Sequence, residues 1–458
     1  MNPEIPRREF IKKTSGAVAG SSLAGVLAGC RTPSKQTTAA ASTAASVIVA
    51  SKAYAVGKDT IKIGLVGCGG RGSGNVREAL LGYKDAVLIS MGDIFEDELD
   101  RHLVALKGNT EINDRILVTK ENCFVGFDAY KKVVDSGVDV VILATPPGFR
   151  SIHAKYVIEK NKHLFCEKPI CTDAFGYRSF MATVAEAKRK GLGIGSGFCW
   201  RSNLAQRAVY QKVLAGEIGD IRTIYGTYNT GPARFKDVDP KWNPMEAQLR
   251  NWMHFTWLSG DHIVEQAIHN IDLTNWAMNN QMPVKCTAHG GRQIRPEQLV
   301  GHIFDHFSVV YEWENGAKGF LFCRQQLGCH SDNTEHIYGT KGTAHILLFN
   351  GVPYIQDATG KKVWKYDGDP KNPNMYVVEQ QEFLTSIKEG KPRMDGEWLA
   401  NSSMMGVMGR MAGYTGQEIT WEDAINSKEQ LVPNEADIRW DKAPAVPPLA
   451  IPGQTKFI

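Results

Sequence analysis

The stretch Ile61-Lys62-Ile63-Gly64-Leu65-Val66-Gly67-Cys68-Gly69-Gly70-Arg71-Gly72-Ser73-Gly74-Asn75 decides the fold. Ile61, Ile63, Leu65 and Val66 form a β-branched, apolar run, long enough for a buried parallel strand and too short for a core helix. Gly67, Gly69 and Gly72 then read G-x-G-x-x-G. Gly67 permits a tight turn, Gly69 leaves room for a pyrophosphate, and Gly72 lets the next helix lie close to the strand. A helix from about Gly72 to Gly82 aims its unpaired amides at the phosphates, with Gly70 and Arg71 inside the same cradle. The motif alone is weak in a chain with 45 glycines, so its context matters. A second apolar run, Ala86 to Met91, leads to Asp93, where an acid should meet the adenosine ribose hydroxyls. A carboxylate there repels a 2′-phosphate, and Ile94, Phe95, Glu96 and Asp97 offer no cation to hold one. NAD is therefore expected rather than NADP.

Beyond Asp93 the strand–helix alternation continues. A helix pattern covers Glu98 to Lys107, and another Tyr130 to Asp135. Val138 to Thr145 is the next strand, broken at its carboxyl end by Pro146-Pro147-Gly148, with His153 one turn into the following helix. His163 to Cys166 is a strand ending in Glu167-Lys168-Pro169, then come a helix from Ala174 to Lys190 and a strand from Gly193 to Phe198. The pattern predicts a doubly wound parallel sheet of about six strands that binds its ligand at their carboxyl ends. Thr145, Pro146, His153, Glu167 and Lys168 are placed there as cofactor-binding candidates.

Before the loop, residues 1–30 read as an export signal rather than fold. Arg7-Arg8-Glu9-Phe10-Ile11-Lys12 is a twin-arginine pattern, and Leu27-Ala28-Gly29-Cys30 resembles a lipobox. A periplasmic lipoprotein, anchored through lipid on Cys30, is expected; cleavage after Ala55 is the alternative. Residues 31–58 are a Ser/Thr/Ala-rich tether. Outside the cytoplasm no NAD pool is replenished, so an exported enzyme should keep its cofactor and reset it in place.

The composition is that of a soluble globular protein, 43% apolar and 22% charged. A net charge of +4 without an aromatic-interleaved basic patch argues against nucleic acid. The nine cysteines include no C-x-x-C pair, so neither zinc nor a disulfide framework is expected. No internal repeat is found, and a homo-oligomer is expected.

After Arg207 longer alternating strands appear, including Cys286 to Gly290, His306 to Trp313, Gly319 to Arg324 and Glu335 to Gly339. Tyr376 to Ile387 and Ala400 to Ala412 read as helices, and the chain after Glu429 as a Pro-rich arm. The expected layout is a Rossmann domain over 59–198, an α+β substrate domain with an open, largely antiparallel sheet over 199–428, and an extended arm over 429–458.

The glycine loop, Asp93, Ala144-Thr145-Pro146 and Glu167-Lys168-Pro169 together resemble the glucose–fructose oxidoreductase/inositol dehydrogenase (Gfo/Idh/MocA) family. The resemblance runs from about Thr60 to Ala424 and implies an NAD(P)-dependent oxidoreductase acting on a small carbohydrate. It places Lys168 beside the nicotinamide, facing the alkoxide that develops. In the family a D-x-x-x-H pair supplies the proton acceptor; here it reads Glu265-Gln266-Ala267-Ile268-His269. A continuous helix would set Glu265, His269 and Asp272 on one face, at i, i+4 and i+7. His269 is then the expected general base, tuned by Glu265 or Asp272, with His262 as the alternative. The same spacing suits metal ligands, but no third ligand is evident and none is expected. Arg201, Asn203, Tyr228, Arg234 and Asp272 are candidates for holding substrate, and the aromatics Tyr225, Trp242, Trp252, Phe255 and Trp257 for stacking on a sugar or filling the core. The resemblance also admits an NAD-dependent glycosidase that oxidises, eliminates, hydrates and reduces back, although such relatives generally lack the lysine that Lys168 keeps here.

Overall fold

The computed structural model describes residues 60–295, 301–349 and 351–458. The twin-arginine motif, the tether and Cys30 lie outside the described residues.

The first half alternates strand and helix: β1 (Ile61–Val66), α1 (Gly70–Gly82), β2 (Ala86–Asp93), α2 (Glu96–Lys107), β3 (Cys123–Val125), α3 (Ala129–Asp135), β4 (Val140–Leu143), α4 (Pro147–Glu159), β5 (His163–Cys166), α5 (Ala174–Lys190) and β6 (Ile194–Ser196). The six strands are parallel in the order β3-β2-β1-β4-β5-β6. The order reverses between β1 and β4, where an open α/β sheet binds its ligand. β1 and β4 are buried almost throughout, which is why they read as unbroken apolar runs rather than alternating ones. Helix ends follow local chemistry. Asp173 caps α5 by accepting the Gly176 N–H at 2.7 Å, and Gly191 ends it at φ 66°.

The second half comprises α6 (Leu204–Leu214), β7 (Ile221–Thr230), α7 (Pro244–Arg250), α8 (Thr256–Ser259), α9 (His262–Glu265), α10 (Ile268–Ala277), β8 (Lys285–Gly291), β9 (His306–Glu312), β10 (Lys318–Gln325), β11 (Asp332–Gly339), β12 (Gly342–Leu347), β13 (Tyr354–Asp357), β14 (Lys362–Lys365), α11 (Met375–Lys388), α12 (Gly396–Thr415), β15 (Ile419–Thr420) and α13 (Trp421–Asn426). Its nine strands run β14-β13-β12-β11-β7-β10-β9-β8-β15, antiparallel except for the central β7–β10 pair. Strands such as β9 alternate buried and half-buried positions, as expected of a sheet covered on one face. The cover is α12, buried all round because it lies between the two sheets. Tyr311 from β9 donates to the Met405 carbonyl at 2.8 Å on one side, and Ser403 accepts the Ile170 N–H at 3.1 Å on the other.

One element departs from the division expected at residue 198. α11 packs into the Rossmann core, where Phe383, Leu384 and Ile387 join Phe165 and Leu80. The arm after Glu429 is extended but anchored: Arg410 pairs with Glu429, Asp173 accepts the Leu431 N–H at 2.6 Å, and Tyr130 donates to Glu435 at 2.6 Å.

Candidate active site

The glycine loop turns sharply after β1. Gly67 sits at φ +89°, and a Cβ there would lie 2.6 Å from the Thr145 nitrogen; one on Gly72 would lie 2.0 Å from the Gly67 carbonyl. At Gly69 and Gly70 a Cβ would meet nothing within 4 Å. Two glycines thus close the turn, and two leave open space above it. Gly69 gives α1 no side-chain cap, so its first amides remain for a ligand. This cradle fits the pyrophosphate of a dinucleotide.

A cavity of about 510 Å³ opens from the loop and is lined by Gly67, Gly69, Asp93, Thr145, Pro146 and His153, among others. The Asp93 carboxylate accepts the Cys68 N–H at 2.6 Å and the Phe95 N–H at 3.0 Å, so it fixes the loop while lining the cavity. Burial raises its pKa, and those two amides oppose the rise. His153 stacks 4.0 Å from Tyr130 and 5.7 Å from Phe149, and its Nδ1 lies 3.4 Å from the Thr145 hydroxyl. Burial pushes it down to about 3, so the ring is neutral.

Two cofactor candidates turn away from the cavity. Arg71 pairs with Glu78, lies 3.4 Å from Glu167 and covers the Tyr376 ring at 4.5 Å, which leaves only its backbone amide for phosphate. Glu167 is buried and accepts from Asn75 at 3.0 Å and from the Lys168 N–H at 3.2 Å. Its role is to hold the strand end. Arg150, which the sequence did not point to, shares that role: it donates to the carbonyls of Thr145 at 2.7 Å, Glu167 at 3.2 Å and Pro169 at 2.7 Å, stapling the ends of β4 and β5.

From that stapled end Lys168 reaches into the second domain. Its Nζ donates to the Glu265 carbonyl at 2.6 Å and to the Glu265 carboxylate at 3.2 Å. The carbonyl is free because the expected continuous helix is broken. α9 stops at Glu265, α10 starts at Ile268, and the His269 N–H bonds Gln266 rather than Glu265. The break also undoes the expected shared face. Glu265 serves Lys168, not His269. Asp272 is buried, accepting from Arg201 at 2.9 and 2.8 Å and from Ser402 at 2.7 Å. Among the described residues His269 therefore has no carboxylate partner, and its Nδ1 is buried without a hydrogen bond. Its half-buried ring lies 6.2 Å from Phe198 and 6.3 Å from Tyr228. Burial, reinforced by the Lys168 charge, holds the imidazole well below its ordinary pKa.

The structure brings together Lys168, Glu265, His269 and Tyr228, and separates the other candidates from them. Arg201 is committed to Asp272 and lies 4.0 Å over Trp398. Asn203 caps α6 and donates to the Pro370 carbonyl at 2.9 Å. His262 is buried against Phe307, and burial pushes it down to about 3. Arg234 and Trp252 line the nucleotide cavity instead. Phe255 and Trp257 are core, and the exposed Tyr225 packs on Phe322 and His336. Lys168, Glu265 and His269 do not line the large cavity; Gln266, next to Glu265, does. Sequence reading also missed the cations near Asp93. Lys236 and Arg250 come from the second domain, and Arg101 from α2. Arg101 and Lys236 share Glu98, and Arg250 pairs with Asp97, so these three cations are engaged by acids that follow Asp93.

Residues 61–198 match a family model described as an oxidoreductase family with an NAD-binding Rossmann fold, and residues 206–345 match the GFO/IDH/MocA C-terminal domain. The inositol 2-dehydrogenase of Rhizobium meliloti is 24% identical over 344 residues, 72% of this chain and 90% of that protein. The myo-inositol 2-dehydrogenase of Thermotoga maritima is 22% identical over 380 residues, 81% of this chain and 100% of that protein. Among solved structures, apo scyllo-inositol dehydrogenase from Lactobacillus casei shares the fold at a TM-score of 0.60 and 21% identity, covering 79% of this chain and 98% of that one.

Proposed function

This chain belongs to the GFO/IDH/MocA family of NAD-dependent oxidoreductases acting on CH–OH groups, and we propose that it oxidises one secondary hydroxyl of a sugar, polyol or glycoside to a ketone, with an NAD that stays bound between turnovers. The observation that carries the reading is Lys168, from a Rossmann strand end, held by backbone and side chain of Glu265, four residues before His269 in the second domain, where burial and the Lys168 charge lower the His269 pKa. Twin-arginine export and a lipid on Cys30 are its proposed setting, supported by Arg7-Arg8 and Leu27-Ala28-Gly29-Cys30.

The amides of the glycine loop and Asp93 would hold NAD, which would supply the acceptor for the hydride of the carbinol carbon. The chain's own residues manage the proton and the charge. His269 accepts the hydroxyl proton, and an imidazole kept neutral by burial is free to do so at neutral pH. The Lys168 ammonium faces the oxygen as alkoxide character grows. Glu265 holds that ammonium by backbone and side chain together, so its position needs no reorganisation during the reaction. Glu167 and Arg150 fix the strand end from which Lys168 projects. Tyr228 flanks the imidazole and is the proposed substrate contact on β7.

The test is to denature purified protein, identify the released nucleotide, and offer native protein a panel of polyols, sugars and aryl glycosides. Nicotinamide absorbance and free aglycone are followed together. Reduction of bound nucleotide by one substrate class supports the dehydrogenase. Aglycone release with no net change in absorbance would replace it with the redox-neutral glycosidase.

A further inference from the structure

We propose that the nucleotide cavity is closed at its adenosine end by a cover drawn from the second domain and the C-terminal arm, and that this cover sets how slowly the cofactor leaves. The proposal rests on the retained-NAD reading above.

Residues 231–243 contain no helix or strand, yet they are pinned. Buried Asn251 accepts the Lys236 N–H at 2.8 Å and donates to the Lys236 carbonyl at 3.0 Å. The Lys236 ammonium then reaches Glu98 on α2, 3.3 Å away. Arg250, at the end of α7, lays its guanidinium 3.9 Å over the Phe95 ring and donates to Asp97 at 3.0 and 3.2 Å. Behind this, Trp440 from the arm packs 6.0 Å from Phe95 and 4.8 Å from Phe127, and Gln248 ties α7 to the arm through the Pro444 carbonyl at 2.8 Å. Two segments far apart in the chain, 231–250 and the arm, thus converge on the residues that follow Asp93.

The cavity is lined by Asp93 and Phe95 from the Rossmann half and by Asn251 and Trp252 from the second domain. A ribose at Asp93 therefore lies beneath the cover. To release it, the chain must separate Lys236 from Glu98 and Arg250 from Asp97 and Phe95. These contacts are ionic at the rim, so salt weakens them. The seal behind them is aromatic and does not respond in that way.

The experiment loads the full chain with NADH, chases with excess NAD, and follows the loss of bound NADH fluorescence. Replacing Lys236 and Arg250 together by Ala should speed release by roughly tenfold or more, the combined effect expected of two rim ion pairs and one cation–π contact. Raising salt from about 0.05 M to about 0.5 M should speed release from the wild type and leave the double variant unchanged. A folded double variant, checked by circular dichroism, that releases NADH no faster than the wild type overturns the cover. If the double variant does not fold, the salt response of the wild type decides: a salt-independent rate overturns the cover. If the wild type binds neither NAD nor NADH, the cofactor reading falls and the cover falls with it.

Discussion

Replacing Lys168 by Ala should damage rate and stability together, and a second substitution should separate the two. Loss of a cation aimed at a developing alkoxide typically lowers kcat by about 10²–10³. The stability effect follows from Glu265, whose side chain is only 11% exposed and whose cation in the structure is Lys168. Removing one member of a buried pair costs about 3–5 kcal/mol when the remaining charge stays ionised. Both side chains keep some exposure, 14% for Lys168 and 11% for Glu265, so the lower end of that range is expected. Glu265→Gln in the Lys168→Ala background removes the stranded charge. It should recover most of the melting temperature and none of the rate. The rate is read as single-turnover reduction of bound NAD, with nucleotide content checked, and stability as a thermal melt. The reasoning is refuted if Lys168→Ala reduces bound NAD as fast as wild type, or if the double variant regains rate along with stability.

His269→Ala should lower the same single-turnover rate by about 10²–10⁴ while NAD stays bound; an unchanged rate across pH removes His269 from the base role. Gly72→Ala and Gly69→Ala should differ in kind. The first forces a Cβ to 2.0 Å from the Gly67 carbonyl and should lower the melting temperature, whereas the second meets nothing within 4 Å in the protein and should only weaken NADH binding in a fluorescence titration. Glu335 should make stability fall with rising pH. Buried and bonded by Tyr210 at 2.8 Å and Thr274 at 3.1 Å, it is pushed up to about 8 by burial, so the folded state holds a proton that the unfolded chain releases above its ordinary value of 4.5. Its contribution is full below that value and is lost as pH rises through the folded pKa. Glu335→Gln should therefore gain about 3 kcal/mol relative to wild type between about pH 5 and about pH 7.5; parallel melting curves over that range would refute this.

The Rossmann half was legible because its signals are local. A strand buried on both faces must be a short apolar run, and Gly67 and Gly72 are glycines because a Cβ would strike backbone. The end of β5 was legible for the same reason, since strand, acid, lysine and proline are consecutive. The second domain's site was not. Ile263, Ala267 and Ile271 keep helical spacing through residues 260–272, so periodicity gives one continuous helix. The break at Gln266 goes with a hydrogen bond from Lys168, 97 residues away, to the carbonyl that a continuous helix would have used. The misplaced polar candidates share that cause. Arg201, Asn203 and Asp272 look free in sequence because Ser402, Trp398 and Pro370, which occupy them, come from distant elements. The cations near Asp93 were invisible to a reading of the residues that follow it, because Lys236 and Arg250 reach α2 from the second domain, far along the chain. Where backbone sterics dictate a residue, the neighbouring sequence is enough. Where a charge is satisfied, only the partner explains it, and the partner of Lys168 lies across the boundary between the two halves. Lys168 and Glu265 are that pair, which makes the proposed reactive centre depend on the docking of the two halves.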